Sequence, residues 1–193
     1  VNPAALTAVR ELQRRLPCEP PAVDLAQRVA LSYAFPGDNL MSEINRILDQ
    51  MDRAFAGDAW HGPSLESLLE GISAEDASKH PVRGAHSIWE LVNHIAAWNS
   101  IVRRRAEGTA VEVSTEMDWP PVWEATEVTW QRSLEQLRDC RARFRAAVKN
   151  LHADKLDEIT PGKDHSLYVM LHGAIQHDLY HAGQIAVLKK ALQ

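Results

Sequence analysis

From Met41 to the C-terminus, apolar residues return every three or four positions in four long segments, and this period limits the fold more than any other feature of the chain. A 3.6-residue repeat lines such residues along one face of an α-helix, whereas a half-buried strand requires strict alternation. Ile44, Ile47, Leu48, Met51 and Phe55 form the stripe of the first segment, and shorter pieces follow around Ser64–Gly71 and Ser73–Ser78. The second long segment opens on Ser87-x-x-Glu90, a capping box in which hydroxyl and carboxylate satisfy free N–H groups of the first turn. It ends at Arg103-Arg104-Arg105 and Gly108. A polar loop containing Trp119-Pro120-Pro121 leads to a third segment from about Val122 to Asn150, and Pro161-Gly162 breaks the chain before a fourth from about Ser166 to Leu192. Val111-Glu112-Val113 is too short to count as a strand. The expected fold is all-α: a four-helix bundle with one longer connection between its second and third helices.

Residues 1–40 read differently. Leu6, Val9, Leu12 and Leu16 have helical spacing, Pro17, Pro20 and Pro21 stop it, and Val23 to Tyr33 can form a second short helix before Pro36-Gly37. The expectation is a helical or irregular extension ahead of a domain spanning 41–193, the alternative being an extra helical hairpin packed on the bundle. With 45% hydrophobic and 24% charged residues the chain has the composition of an ordinary globular protein, which excludes disorder and coiled-coil rods. A net charge of -5 lacks the basic excess that phosphate neutralisation needs, so no nucleic-acid partner is expected. Cys18 and Cys140 stand alone without CxxC spacing, which argues against a disulfide framework or a thiolate metal site and for a reducing compartment. No apolar run reaches the roughly 18 residues that cross a bilayer, and Arg10-Glu11 interrupts any signal-peptide core, so a cytoplasmic protein without membrane contact is expected.

Nine histidines and six tryptophans are the unusual counts, and position separates them. At about 100° per residue, Met170, Ala174, His177, His181, Ile185 and Leu188 share one side of the fourth segment. The i,i+4 spacing stacks His177 and His181 so that both reach one point beside the helix. His94 shares the stripe of Leu91, Trp98 and Ile101 on the second segment and supplies a third inward imidazole. Three converging neutral nitrogens suit a divalent ion with open coordination positions, although inward histidines also serve as hydrogen-bonded core residues. His177-Asp178-Leu179-Tyr180-His181 superficially copies the HExxH zincin helix, but Asp stands where the longer Glu base belongs.

The run Ser87-Ile88-Trp89-Glu90-Leu91-Val92-Asn93-His94-Ile95-Ala96-Ala97-Trp98, followed by His172-Gly173-Ala174-Ile175-Gln176-His177-Asp178-Leu179-Tyr180-His181-Ala182-Gly183-Gln184-Ile185, closely resembles the DinB-like (DinB/YfiT) superfamily. Trp60-His61-Gly62-Pro63-Ser64-Leu65 resembles a further segment of one branch. The resemblance runs from about Met41 to Gln193. It implies a four-helix bundle of DinB/YfiT type in which His94, His177 and His181 hold a divalent metal, zinc or nickel. Members with assigned activities include thiol-dependent transferases and a mycothiol-dependent isomerase, while others are described only as metal-dependent hydrolases. The expected function is therefore a metal-dependent enzyme, a hydrolase or thiol S-transferase, with a small-molecule substrate and a low-molecular-weight thiol as the candidate cosubstrate. A three-histidine ion serves either chemistry, by acidifying bound water from 15.7 to about 7 or by activating a thiolate. The competing readings are a noncatalytic bundle stabilised by metal or by a partner copy and, more weakly, a nucleic-acid-associated stress protein.

Around that centre, His61 in the turn after the first helix is the candidate general base or fourth ligand, its plain reading being an exposed turn residue. Trp60 and Trp98 are candidate cavity walls, the plain reading of Trp98 being a core residue, and Tyr180 and Gln184 are candidate hydrogen-bond donors beside the ligands. Asp178, about 100° round the helix from His177, is expected to face solvent. Arg103-Arg104-Arg105 complements a helix dipole, and Arg138, Arg141, Arg143 and Arg145 are read as a solvated face. Gly183 costs about 1 kcal/mol in mid-helix relative to Ala, which suggests close approach of another backbone and a homodimer contact. His80, His86, His152, His165 and His172 carry no constellation, and neither Cys140 nor Cys18 is placed as a nucleophile.

Overall fold

Capping side chains open each of the four long helices. The computed structural model describes residues 41–193; the helices expected within residues 1–40, the boundary before Met41 and Cys18 lie outside the described residues. Ser42 opens α1 (Glu43–Phe55) by accepting from the Asn45 amide at 3.3 Å. Two short helices follow, α2 (Leu65–Leu69) and α3 (Ala74–Ser78). The capping box at α4 (Ile88–Ala106) is present as expected: the Glu90 amide donates to Ser87 Oγ at 3.2 Å and the Ser87 amide to Glu90 Oε2 at 2.7 Å. A short α5 (Thr115–Asp118), capped by Ser114, lies inside what reads as polar loop. The third long helix, α6 (Glu127–Lys149), begins later than the expected Val122, because Pro120 and Pro121 lack amide donors and the first capping hydroxyl is that of Thr126. A 3-10 turn at Ala153–Asp157 precedes α7 (Leu167–Ala191), capped by Ser166.

The buried side chains form two apolar clusters, one at each end of the bundle. One gathers Phe55, Trp89, Leu91, Ile95, Trp130, Leu137 and Ile185; the other Ile44, Ile47, Met51, Val102, Phe144, Val148 and Leu171. Their membership gives the helix directions. α1 and α7 run one way, α4 and α6 the other, so the connection from α4 to α6 crosses the full length of the bundle. The buried tryptophans keep their N–H groups paired, Trp89 Nε1 to Ser133 Oγ and Trp130 Nε1 to the Ile72 carbonyl, each at 2.8 Å. Among the described residues no helix is long and apolar enough to cross a membrane.

Where the two clusters meet, the core turns polar. Asp178 is 3% and Arg141 4% exposed, against the expectation that both face solvent. Their salt bridge measures 3.4 Å; Asn99 Nδ2 donates to Asp178 Oδ1 at 3.3 Å, and Arg141 Nη2 donates to the Met51 carbonyl. One group from each long helix thus enters one buried network. Each charge needs the other because neither has water to lean on. The other three arginines read as a solvated face do stay at the surface, Arg138 on Glu66, Arg143 on Asp139 and Arg145 on Asp52. Arg141→Ala leaves the Asp178 carboxylate buried and alone, and the expected loss is about 3–5 kcal/mol, read from urea unfolding. The double variant Arg141→Met, Asp178→Leu is expected to recover most of that loss.

Candidate metal centre

The burial pattern of α7 is rotated from the stripe read in the sequence. Leu171, Ile175, Asp178, Ala182 and Ile185 run along its deepest line, which leaves His181 buried and His177 half-buried at the edge facing α4. His94, buried on α4, completes a group whose ligating nitrogens all lie within 4.8 Å of one another. His177 Nε2 stands 3.0 Å from His94 Nε2 and 3.1 Å from His181 Nε2.

Neighbouring oxygens fix the tautomers. His94 Nδ1 donates to the Asp118 carbonyl and His181 Nδ1 donates to Gln184 Oε1, both at 2.6 Å. These oxygens can only accept, so the two Nδ1 atoms carry hydrogen and both Nε2 atoms present lone pairs. His177 Nε2 can donate to one of them at most. At least one close nitrogen–nitrogen contact is therefore left without a hydrogen between its atoms, an arrangement that a shared cation relieves. Two nitrogens bound at 2.0–2.1 Å to one tetrahedral ion stand about 3.3 Å apart, close to the spacing found here. The donor set fits a divalent metal, with the Asp118 carbonyl and Gln184 orienting the outer rings.

Electrostatics agree. Burial holds His94 below the ordinary imidazole range, against the opposing hydrogen bond to Asp118. Burial, reinforced by the neighbouring imidazoles, lowers His181 to about 4, although its bond to Gln184 acts the other way. Both rings are neutral at pH 7, the form that ligates metal.

The long crossover completes the site, and its part went unread in the sequence. Trp119 stacks on His94 with ring centroids 3.9 Å apart and planes at 12°, and His86 stacks on the far face of Trp119 at 3.6 Å and 11°. Trp98 Nε1 donates to Asp118 Oδ1 at 2.7 Å, tying α4 to α5. The available signal was the pair Asp118-Trp119 directly ahead of two prolines, which stop a helix and hold its last residues in place.

The other expected site residues divide. Trp98 packs against the apolar core and borders a hollow together with His177. Gln184 touches the centre, but as an acceptor from His181 rather than a donor. Tyr180 is 65% exposed and meets His181 only ring to ring, at 5.1 Å between centroids. His61 and Trp60 are exposed and border a separate hollow with Asp49, Arg53, Ile175 and Leu179, so the structure does not bring His61 to the three imidazoles. At Gly183 a Cβ would meet nothing within 4 Å, so among the described residues no backbone approaches it. Arg105 departs from the helix-dipole reading of its cluster, being buried and donating to the Val111 carbonyl at 2.8 Å.

The lowered His181 pKa gives a signed expectation. Between 6.5 and about 4 the unfolded chain takes up a proton at this position that the folded chain refuses, so stability rises with pH across that window and falls on acidification. At about 1.4 kcal/mol per pH unit the loss reaches up to about 3 kcal/mol. Urea unfolding of metal-free protein at a series of pH values measures it, and His181→Gln is expected to flatten the slope.

A family model described as the DinB superfamily matches residues 59–185, more than half of the chain. No curated protein matches it. A crystal structure described as that of the conserved protein of locus from Enterococcus faecalis has the same fold, with a TM-score of 0.60 over 79% of this chain and 98% of the other, at 14% identity. The helix arrangement, the three-histidine cluster and the matched segment agree, and the chain belongs to the DinB superfamily.

Proposed function

We propose that this protein is a divalent-metal-dependent enzyme in which His94, His177 and His181 hold zinc or nickel through their Nε2 atoms. The observation that carries this reading is the convergence of three Nε2 atoms, two of them held as lone pairs by hydrogen bonds at Nδ1. A divalent ion so held supplies Lewis acidity and positions for exchangeable ligands. The residues of the chain do the rest. The Asp118 carbonyl and Gln184 keep the rings in the ligating tautomer, and Trp119 holds the His94 ring plane. The Arg141 charge neutralises Asp178, one residue from His177, so that no unpaired carboxylate competes for the ion.

The nucleophile comes from solution, as water in a hydrolase or as a low-molecular-weight thiol in a transferase. Cys140, the cysteine among the described residues, lies on α6 outside the histidine group, and burial pushes its thiol pKa up. A purely structural ion, the competing reading, calls for a closed set of four protein ligands. Among the described residues the set has three, and His177 opens onto a hollow.

Metal analysis of purified protein tests the assignment. Wild type is expected to retain a divalent ion after gel filtration and His177→Ala to lose it; equal content in the two removes the reading. Gln184→Leu, which frees the His181 ring, is expected to weaken metal binding about 10–100-fold in a competition titration.

A further inference from the structure

The hollow beside His177 is bordered by Arg105 and Asn99, each with one buried polar atom that has no hydrogen-bond partner among the described residues. It has a volume of about 340 Å³ between α4, α7 and the turn ahead of α7, and Val102, Val169, Met170 and Ala174 give it apolar walls. That size lies at the lower end of small-molecule pockets. Arg105, on its border, is 4% exposed. Its Nη2 donates to the Val111 carbonyl and its guanidinium lies over Trp98, 5.9 Å from the ring centroid, but its Nε has no hydrogen-bond partner among the described residues. Burial lowers the Arg105 pKa, and among the described residues no carboxylate pairs with it to offset the effect. A buried guanidinium without a counter-ion is costly, and a bound anion offsets that cost.

Asn99 tells the same story from the acceptor side. Its Nδ2 donates to the Ile95 carbonyl and to Asp178 Oδ1, both acceptors only, which fixes the orientation of the amide. Its Oδ1 is buried with no donor among the described residues, and Asn99 is 2% exposed on the border of the same hollow. Lys163 and His165 add positive or neutral groups there, while the one carboxylate on the border, Asp178, is already paired with Arg141.

The structure assigns this hollow as the binding site of a small organic carboxylate that has a short apolar body and a hydroxyl or N–H donor. The carboxylate lies on Arg105 with Lys163 adding attraction, the body rests on the valine and methionine walls, and the donor reaches Asn99 Oδ1. That such a ligand is the substrate rests on the metal-centre reading; that it is held here does not.

Titrations of the full chain, followed by amide NMR shifts, separate the two. The probes are 6-hydroxyhexanoate and 1-hexanol, each tested in EDTA and again with zinc. The carboxylate is expected to bind at least tenfold more tightly than the alcohol, with or without zinc, and to shift amides of α4 and α7 around the hollow. Gly173→Leu fills the space, because a Cβ at Gly173 meets nothing within 4 Å, and it is expected to weaken binding at least tenfold without unfolding the helix. Lys163→Glu at the exposed turn is expected to weaken it at least threefold, and Arg105→Met, checked for folding by circular dichroism, to abolish it. Equal binding of the alcohol, no binding of either probe, indifference to both Gly173→Leu and Lys163→Glu, or binding that requires zinc would each overturn the assignment. Loss of metal binding by wild type with carboxylate binding intact would overturn only the metal reading.

Discussion

The buried salt bridge between Arg141 and Asp178 is the constraint on which the rest of this bundle depends. It lies where the two apolar clusters meet, and with Asn99 and the Met51 carbonyl it draws one group from each long helix into a single network. Apolar packing alone tolerates small rotations of a helix about its axis. A charge that must find its counter-charge in a dry interior does not. With Asp178 turned inward, His177 and His181 are carried to the edge of α7 that faces α4, where His94 waits. The ion pair and the candidate metal centre are thus two consequences of one helix rotation.

The second constraint is the crossover between α4 and α6. Because those helices run in the same direction, the chain must travel the length of the bundle between them, and it does so across the imidazoles. Asp118 reaches His94 from 24 positions downstream, and Trp119 covers the ring face. Ligand tautomer and ring orientation are decided by this connection as much as by the helices that bear the ligands. The same crossover supplies Val111, whose carbonyl holds Arg105 at the border of the hollow beside His177. A topological necessity of the bundle therefore furnishes parts of both sites.

Particular residues show which features could be read in advance. The capping box at Ser87 and Glu90 and the apolar stripe of α1 are local patterns, and both occur where expected. The three histidines were found by the same means, since i,i+4 spacing on one helix and an inward position on another suffice to bring imidazoles together. In sequence, Asp178 and Arg141 look solvated because each taken alone is a charge, and a lone charge belongs outside. Only their meeting, across 37 residues of sequence, makes burial tolerable for both. His61 lies away from the imidazoles for a related reason: a turn residue has no fixed reach, and the turn after α1 borders another hollow.

The helices, their limits and the inward placement of three imidazoles follow from interactions spanning a few residues, capping and the 3.6-residue period, and such interactions leave their mark in the order of amino acids. The rotation of α7, the tautomers of the imidazoles, the stacking of Trp119 and the burial of Arg105 and Asn99 depend on atoms contributed by distant segments. Hydrogen bonds and ion pairs in a dry interior are set by distance and direction in space, and those exist only once the chain has packed.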